Sequence, residues 1–456
     1  MYIITAAEFD GYWKLYNQNS GNNGTDSVDS AVCEIITAVR KEGDAAIRRY
    51  AGRFDKSSPE KLEVPVGLAE EAWEDLCKKD AETSSALELS ARHLLHFAEY
   101  QKTQLNSFEI EMEQGLFTGQ RVIPVERAAV YVPAGRFPII SSVLMGMIPA
   151  LVAGVDELIL SSPPMADGFP NRVIMAAAAL CMVLGKKNGM AKNTKLRLFS
   201  MGGAQAIAAL ALGTETVPRV NVIVGAGNKY VAAAKKILFG EVGIDLIAGP
   251  TDVLVITDAR DGEEAEAELI AADMLAQAEH DSDARARALV PNQKQAEKIS
   301  AAIEKRLALL PEESRITASA SLDAGGLIII YQTQEEAIAI ANAIAPEHLE
   351  LHCDEPEAWT RGEKSGKEYL RNYGSLFIGS LSAEVLGDYS AGINHTLPTS
   401  GGARFSGGLS VRHFLKTPTT LRCVRGAGFE EARKAAEILG RAEGLTAHSD
   451  AARERS

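Results

Sequence analysis

One feature constrains this chain more than any other: short apolar runs alternate with Ala- or Gly-rich segments of helical character. AAVYV (128–132), ELILS (157–161), LRLFS (196–200) and NVIVG (221–225) have the unbroken apolar character of strands buried on both faces. A second series follows in VLVIT (253–257), RALV (287–290), LIII (327–330), LELHC (349–353) and SLFIG (375–379). Strand and helix in strict turn produce parallel sheets with helices on both faces. The expected fold class is therefore α/β, with two Rossmann-like parallel-sheet domains, a helical N-terminal arm over the first 26 residues and a small C-terminal segment after Gly387.

The flanking segments fit this frame. Residues 1–20 read as a short aromatic-rich helix, and GNNGTDS (21–27) as a linker. Val32, Ile35, Ile36 and Val39 line one face of a further helix, and 83–104 forms another. FEIEMEQGLFTGQRVIPV (108–125) alternates as a hairpin. The uncharged stretch 138–155 contains two prolines and is at the short end for a membrane span, so it reads as a buried helix. A net charge of −14 argues against nonspecific binding to nucleic acid or anionic membrane. The N-terminus lacks the basic and apolar regions of a signal peptide. Five scattered cysteines form neither a disulfide framework nor a thiolate zinc site, which suits a reducing cytoplasm.

Two parallel sheets raise the question of a nucleotide, yet no GxGxxG fingerprint is present. Gly202-Gly203 and Gly225-Ala226-Gly227-Asn228 each follow a strand and open a helix. They serve as tight turns, and the helix N-termini behind them are ready anion sites. Elsewhere, AADMLAQAEHDSD (271–283) reads as a helix ending in a polar cluster, with Gln277 and His280 three apart on one face. Alone, such a pair more often caps a helix or faces solvent. Glu347 and His348 stand side by side in IAPEHLEL, where neither charge is cheap to bury. Asp388 lies in a loop-rich stretch, and His448 sits near the terminus behind an apolar helix. A Gln, two His and an Asp would make four N/O ligands without a thiol, suited to zinc or to cobalt- and manganese-like ions.

The strings YVPAG (131–135), GGAQAIAALALGT (202–214), AGPTDVLVI (248–256), QAEHDSDA (277–284), APEHLEL (345–351), GDYSAGINHTLPTSG (387–401) and AEGLTAH (442–448) resemble the histidinol dehydrogenase family in order and spacing. The resemblance implies zinc-dependent, NAD-linked, four-electron oxidation of L-histidinol to L-histidine through L-histidinaldehyde. It implies zinc on Gln277, His280, Asp388 and His448, one ion per subunit. The last ligand would come from the partner subunit of a cytoplasmic homodimer, through a C-terminal dimerisation segment. His348 would be the principal proton acceptor, and Glu347 would activate the water that attacks the aldehyde. Tyr131, Gln205 and Asn228 match positions that contact NAD. Thr251, Glu384 and Glu443 match positions near the substrate, which also touches His348 and the zinc ligands Gln277, His280, Asp388 and His448. Ala134 and Ala226 stand where the family usually has Gly and Pro, and Thr251 where Ser is common. A related zinc/NAD dehydrogenase acting on another polar alcohol, such as a sulfonated diol, is the alternative.

The expected domain division is an arm at 1–26, a discontinuous first domain from 27–127 and 249–386, a second domain at 128–248, and a C-terminal loop-and-helix segment at 387–456.

Overall fold

The computed structural model describes residues 1–20, 25–134, 139–191, 193–259, 264–362 and 367–456. Residues 21–24 of the expected linker, and Gly135 of the YVPAG string, lie outside these. Two six-stranded sheets carry the fold. In spatial order the first runs Gly243–Ile244, Val222–Val224, Arg127–Tyr131, Glu157–Ser162, Lys195–Ser200 and Glu63–Val64. Its pairs are parallel except the last, where Glu63–Val64 runs antiparallel. The second runs Tyr2–Thr5, Leu327–Ile330, Arg285–Val290, Asp252–Thr257, His348–His352 and Ser375–Ile378, all parallel. Every strand expected from the apolar runs is present.

The grouping of segments differs from the expected one. The expected division groups residues 27–127 with 249–386, but the helices within 27–103 bury their apolar faces in the cores of the first sheet. The helix Thr25–Glu42 packs on the helices Gly203–Leu212 and Lys229–Leu238, and its Val32, Ile36 and Val39 join the core that holds Ala129, Ile159 and Ile223 of the first sheet. The helices Gly67–Lys79 and Ala81–Thr103 put Trp73 and Leu94 into the core on the other face, with Val130, Leu158 and Leu160. The N-terminal arm is not purely helical either. Tyr2–Thr5 adds an edge strand to the second sheet, and the helix Ala6–Ser20 seats Phe9 in that sheet's core. The C-terminal segment is more than loop and helix, because Thr419–Cys423 pairs with the hairpin strand Leu116–Gln120.

The uncharged stretch forms the helix Ser141–Ala153, buried nearly all round in the first core. Gly146 allows that helix to approach the sheet: a Cβ there would sit 2.4 Å from Val130. No helix among the described residues is long and apolar enough to cross a membrane.

A buried ion pair anchors the turn after Val222–Val224. Asp245 accepts the Gly225 N–H at 2.7 Å and contacts the Lys235 ammonium, which donates to the Gly225 carbonyl at 2.9 Å. Gly225 has φ +113°, and a Cβ there would lie 2.1 Å from the Tyr131 carbonyl. The turn therefore rests directly on Tyr131. Removing one partner of a buried pair leaves an uncompensated charge, at a cost of about 3–5 kcal/mol. Lys235→Met should loosen this region by that amount, read as faster amide exchange across 222–231 while the second sheet keeps its protection.

Candidate active site

The second sheet places its polar residues at the amino ends of its strands. Thr251 and Asp252 enter Asp252–Thr257, and Glu347 and His348 enter the adjacent strand, where His348 is in register with Val253. The helix Glu264–Ala278 runs back over these strands and delivers Gln277 to the same edge. The short helix Glu384–Tyr389 adds Glu384 and Asp388. Open α/β sheets ordinarily bind ligands at the carboxyl ends of their strands, so the cluster occupies the opposite edge.

Its hydrogen bonds follow from the donor inventory. Satisfying both ends of the Gln277 amide puts its carbonyl on Thr251 Oγ1 at 2.6 Å and Asp252 N at 3.1 Å. Its NH2 then donates to both Glu384 oxygens, at 3.0 and 3.1 Å. Burial raises the Glu347 carboxyl well above the usual carboxylate range. In its protonated form Glu347 donates to Thr251 Oγ1, and the Thr251 hydroxyl in turn donates its hydrogen bond to the Gln277 carbonyl. The Glu347 N–H donates to Asp252 Oδ1 at 3.0 Å, and Arg287 binds the other Asp252 oxygen at 2.9 Å.

His348 sits at the centre. Its Nδ1 lies 3.3 Å from the Asp252 carbonyl, which can only accept, so Nδ1 carries the hydrogen. Nε2 is buried without a hydrogen-bond partner among the described residues, 3.8 Å from Asp388 Oδ1. Glu384 lies 3.6 Å from Nδ1. Burial pushes the imidazole down to about 3 and raises Asp388 to about 7. Glu384 is raised well above its ordinary value by burial and then by its acidic neighbours. His280 lies just past the helix end. The residue is exposed, but its ring is desolvated, which lowers its pKa. It also disfavours protonation of His348 and His395.

The cluster thus brings together Thr251, Gln277, Glu347, His348, Glu384 and Asp388, with His280 beside it. Glu443 and His448 are not part of it. They are exposed at and after the helix Ala427–Ala442, and no hydrogen bond or ion pair joins them to it. Sequence reasoning passed over Asp252, which bonds the Glu347 backbone. His395, within the GDYSAGINHTLPTSG string, also joins the cluster: its side chain bonds the Asp388 carbonyl at 3.1 Å and Ser142 Oγ at 3.2 Å.

A cleft of about 520 Å³ lies at the carboxyl ends of the first sheet. Tyr131, Ala134, Gly203, Ala226, Gly227 and Asn228 line it, and so does Asp281, which follows His280. The cleft therefore adjoins the end of the Gln277 helix. The Tyr131 hydroxyl accepts the Gly203 N–H at 3.0 Å. Asn228 caps its helix by accepting from Tyr230 N at 3.0 Å and Val231 N at 3.2 Å. Gln205 is buried beneath and donates to Asp55 at 3.4 Å; burial raises Asp55 to about 6.

A family model for histidinol dehydrogenase matches residues 18–456. The histidinol dehydrogenase of Methylococcus capsulatus is 42% identical over 429 residues, 93% of this chain and 91% of the relative. That of Thermus thermophilus is 43% identical, covering 93% of each chain. The crystal structure of histidinol dehydrogenase from Elizabethkingia anophelis superposes with a TM-score of 0.81 at 32% identity, covering 93% of this chain and 91% of that one. The chain belongs to the histidinol dehydrogenase family, whose members catalyse the final step of histidine biosynthesis.

Proposed function

We propose that the buried cluster oxidises L-histidinol to L-histidine in two NAD-linked, two-electron steps, with zinc bound at its mouth and L-histidinaldehyde held between the steps. The observation that carries this reading is His348: a neutral, buried imidazole with a free Nε2, flanked by two carboxyl groups, in a cluster whose Gln277 helix ends beside the cleft of about 520 Å³ that Asp281 lines. No observation favours a sulfonated diol as substrate.

The donor set suits zinc. Gln277, His280 and Asp388 offer oxygen and nitrogen without thiolate, and the Gln277 carbonyl would exchange its contacts with Thr251 Oγ1 and Asp252 N for the ion. Asp388 is buried and has no Lys or Arg partner among the described residues. The fourth ligand, His448, stands on an exposed helix whose neighbour exposes Ile438 and Leu439 at 62% and 60%. These observations support delivery of His448, and of Glu443 toward the substrate, by a second copy of the chain. Bound zinc would supply a redox-inert Lewis acid that holds and polarises the substrate. NAD in the cleft beside Tyr131, Gln205 and Asn228 would accept the hydride.

The chain's own residues handle protons and water. His348 Nε2 takes the alcohol proton, and the Glu384 and Asp388 carboxyl groups stabilise the imidazolium that forms. Asp252, held by Arg287, fixes the ring through its carbonyl. Glu347 then acts on water for the second oxidation. Burial raises the Glu347 carboxyl, so once it has given up its proton it is a stronger base than an ordinary carboxylate, which is what this step requires. The amide of Gln277 and the hydroxyl of Thr251 keep Glu347 and Glu384 in one network.

Zinc-loaded protein should form NADH, read as near-ultraviolet absorbance, when given L-histidinol, and a chelator should abolish it; failure with zinc restored contradicts the reading. His348→Asn should lower kcat by roughly 10²–10⁴. Glu347→Gln should retain the first hydride transfer and lose the second, so that aldehyde is trapped by semicarbazide. Inactive His448→Ala chains mixed with inactive Glu347→Ala chains should recover part of the activity, because one site in the mixed dimer is intact. No recovery after confirmed subunit exchange would place His448 in its own chain's site.

A further inference from the structure

One layer behind this cluster lies a second group of ionisable side chains. Glu350 and His352 follow His348 at period two, so all three share one face of the strand. Asp273 precedes Gln277 by one helical turn and faces the same way. All three are buried, at 8%, 0% and 4% exposure for Asp273, Glu350 and His352. Their candidate donor atoms lie within 4.8 Å of one another. His352 Nε2 is 3.5 Å from Glu350 Oε2 and 3.7 Å from Asp273 Oδ2. Tetrahedral ligands at bond lengths of about 2.1 Å stand about 3.4 Å apart, close to the two separations measured from His352 Nε2.

Two further observations point to a missing ligand. His352 Nε2 and Glu350 Oε2 are both fully enclosed; they face each other at 3.5 Å, and neither makes a hydrogen bond among the described residues. The other ring nitrogen, Nδ1, lies 3.0 Å from Glu266 Oε1. Metal-bound histidines are typically oriented by such a carboxylate on the far nitrogen. Three carboxyl groups, Glu266, Asp273 and Glu350, face this single imidazole; against its burial, Glu266 and Glu350 push it up to about 9, and a divalent cation that displaced its Nε2 proton would balance the same carboxyl charge. We propose that Asp273, Glu350 and His352 bind a structural divalent cation of the zinc or manganese class, separate from the Gln277, His280, Asp388 and His448 set. The ion would hold the helix Glu264–Ala278 to the strand His348–His352. It would also fix the short helix Glu384–Tyr389, because Glu350 Oε1 accepts the Glu384 N–H at 2.6 Å.

Metal content of the full-length protein, equilibrated with zinc alone and freed of excess, tests this by mass spectrometry. Native protein should hold two equivalents per subunit, and one equivalent would overturn the proposal. His352→Gln should lose one equivalent, and Asp388→Ala with His448→Ala should lose the other. Combining all three changes should leave none. A count unmoved by His352→Gln would also overturn it, the group then holding protons alone. If His352→Gln does not fold, the isosteric Glu350→Gln takes its place and should lose the same equivalent. Retention of both equivalents after the Asp388 and His448 changes would count against the first ligand set and leave this one standing. As a readout separate from activity, zinc should raise the thermal midpoint of the Asp388, His448 variant, and His352→Gln should remove that rise.

Discussion

Burying ionised carboxyl groups costs several kcal/mol each unless protons, hydrogen bonds or cations share the charge. This chain buries Asp252, Asp273, Glu347, Glu350, Glu384 and Asp388 in one wedge between the second sheet and its covering helix. Most of the site's architecture answers that problem. Asp252 has Arg287. Glu347 holds its proton against Thr251, and Glu384 takes both donors of Gln277. Asp388 keeps a raised pKa with no permanent cation beside it. The unbalanced groups are those that must exchange protons or hold a cation in the proposed reaction, so the instability of the resting site and its chemistry have the same origin.

The two sheets divide the work through their orientation. The first presents the carboxyl ends of its strands, where glycine-rich turns and helix N-termini form the cleft in which the proposed dinucleotide would bind. The second presents the amino ends of its strands, where His348 pairs with a strand on each side, and the Thr251 and Glu347 carbonyls at the same edge accept from Arg285 N and Ser375 N. Asp281 belongs to the cleft wall and directly follows His280. Hydride transfer and proton transfer can therefore meet at this junction, from a mobile cofactor on one side and a rigid strand edge on the other.

The parallel strands were legible because strands buried on both faces must be continuously apolar, and each run was found within one or two residues. The grouping of residues 27–127 was not. An amphipathic helix such as Thr25–Glu42 shows that it has a buried face, without showing which sheet receives it. Local sequence also hid the strand at Tyr2–Thr5, whose pairing partner lies some 325 residues away in the chain. Within the site, Glu347 and His348 drew notice because adjacent charges are costly to bury. Glu350, His352 and Asp273 carried the same signal through their period-two and one-turn spacing. Asp252 and Arg287 could not be paired from the sequence, since only the register of neighbouring strands brings them together. Glu443 and His448 matched the family motif, yet one chain does not carry them to the cluster.

The central claim is that one buried site carries the alcohol through both oxidations without releasing the aldehyde. NADH formed per molecule of limiting L-histidinol by the zinc-loaded native protein measures this most directly. The account predicts two NADH for each histidine formed and no free aldehyde. One NADH per substrate, with aldehyde accumulating in solution, would contradict it.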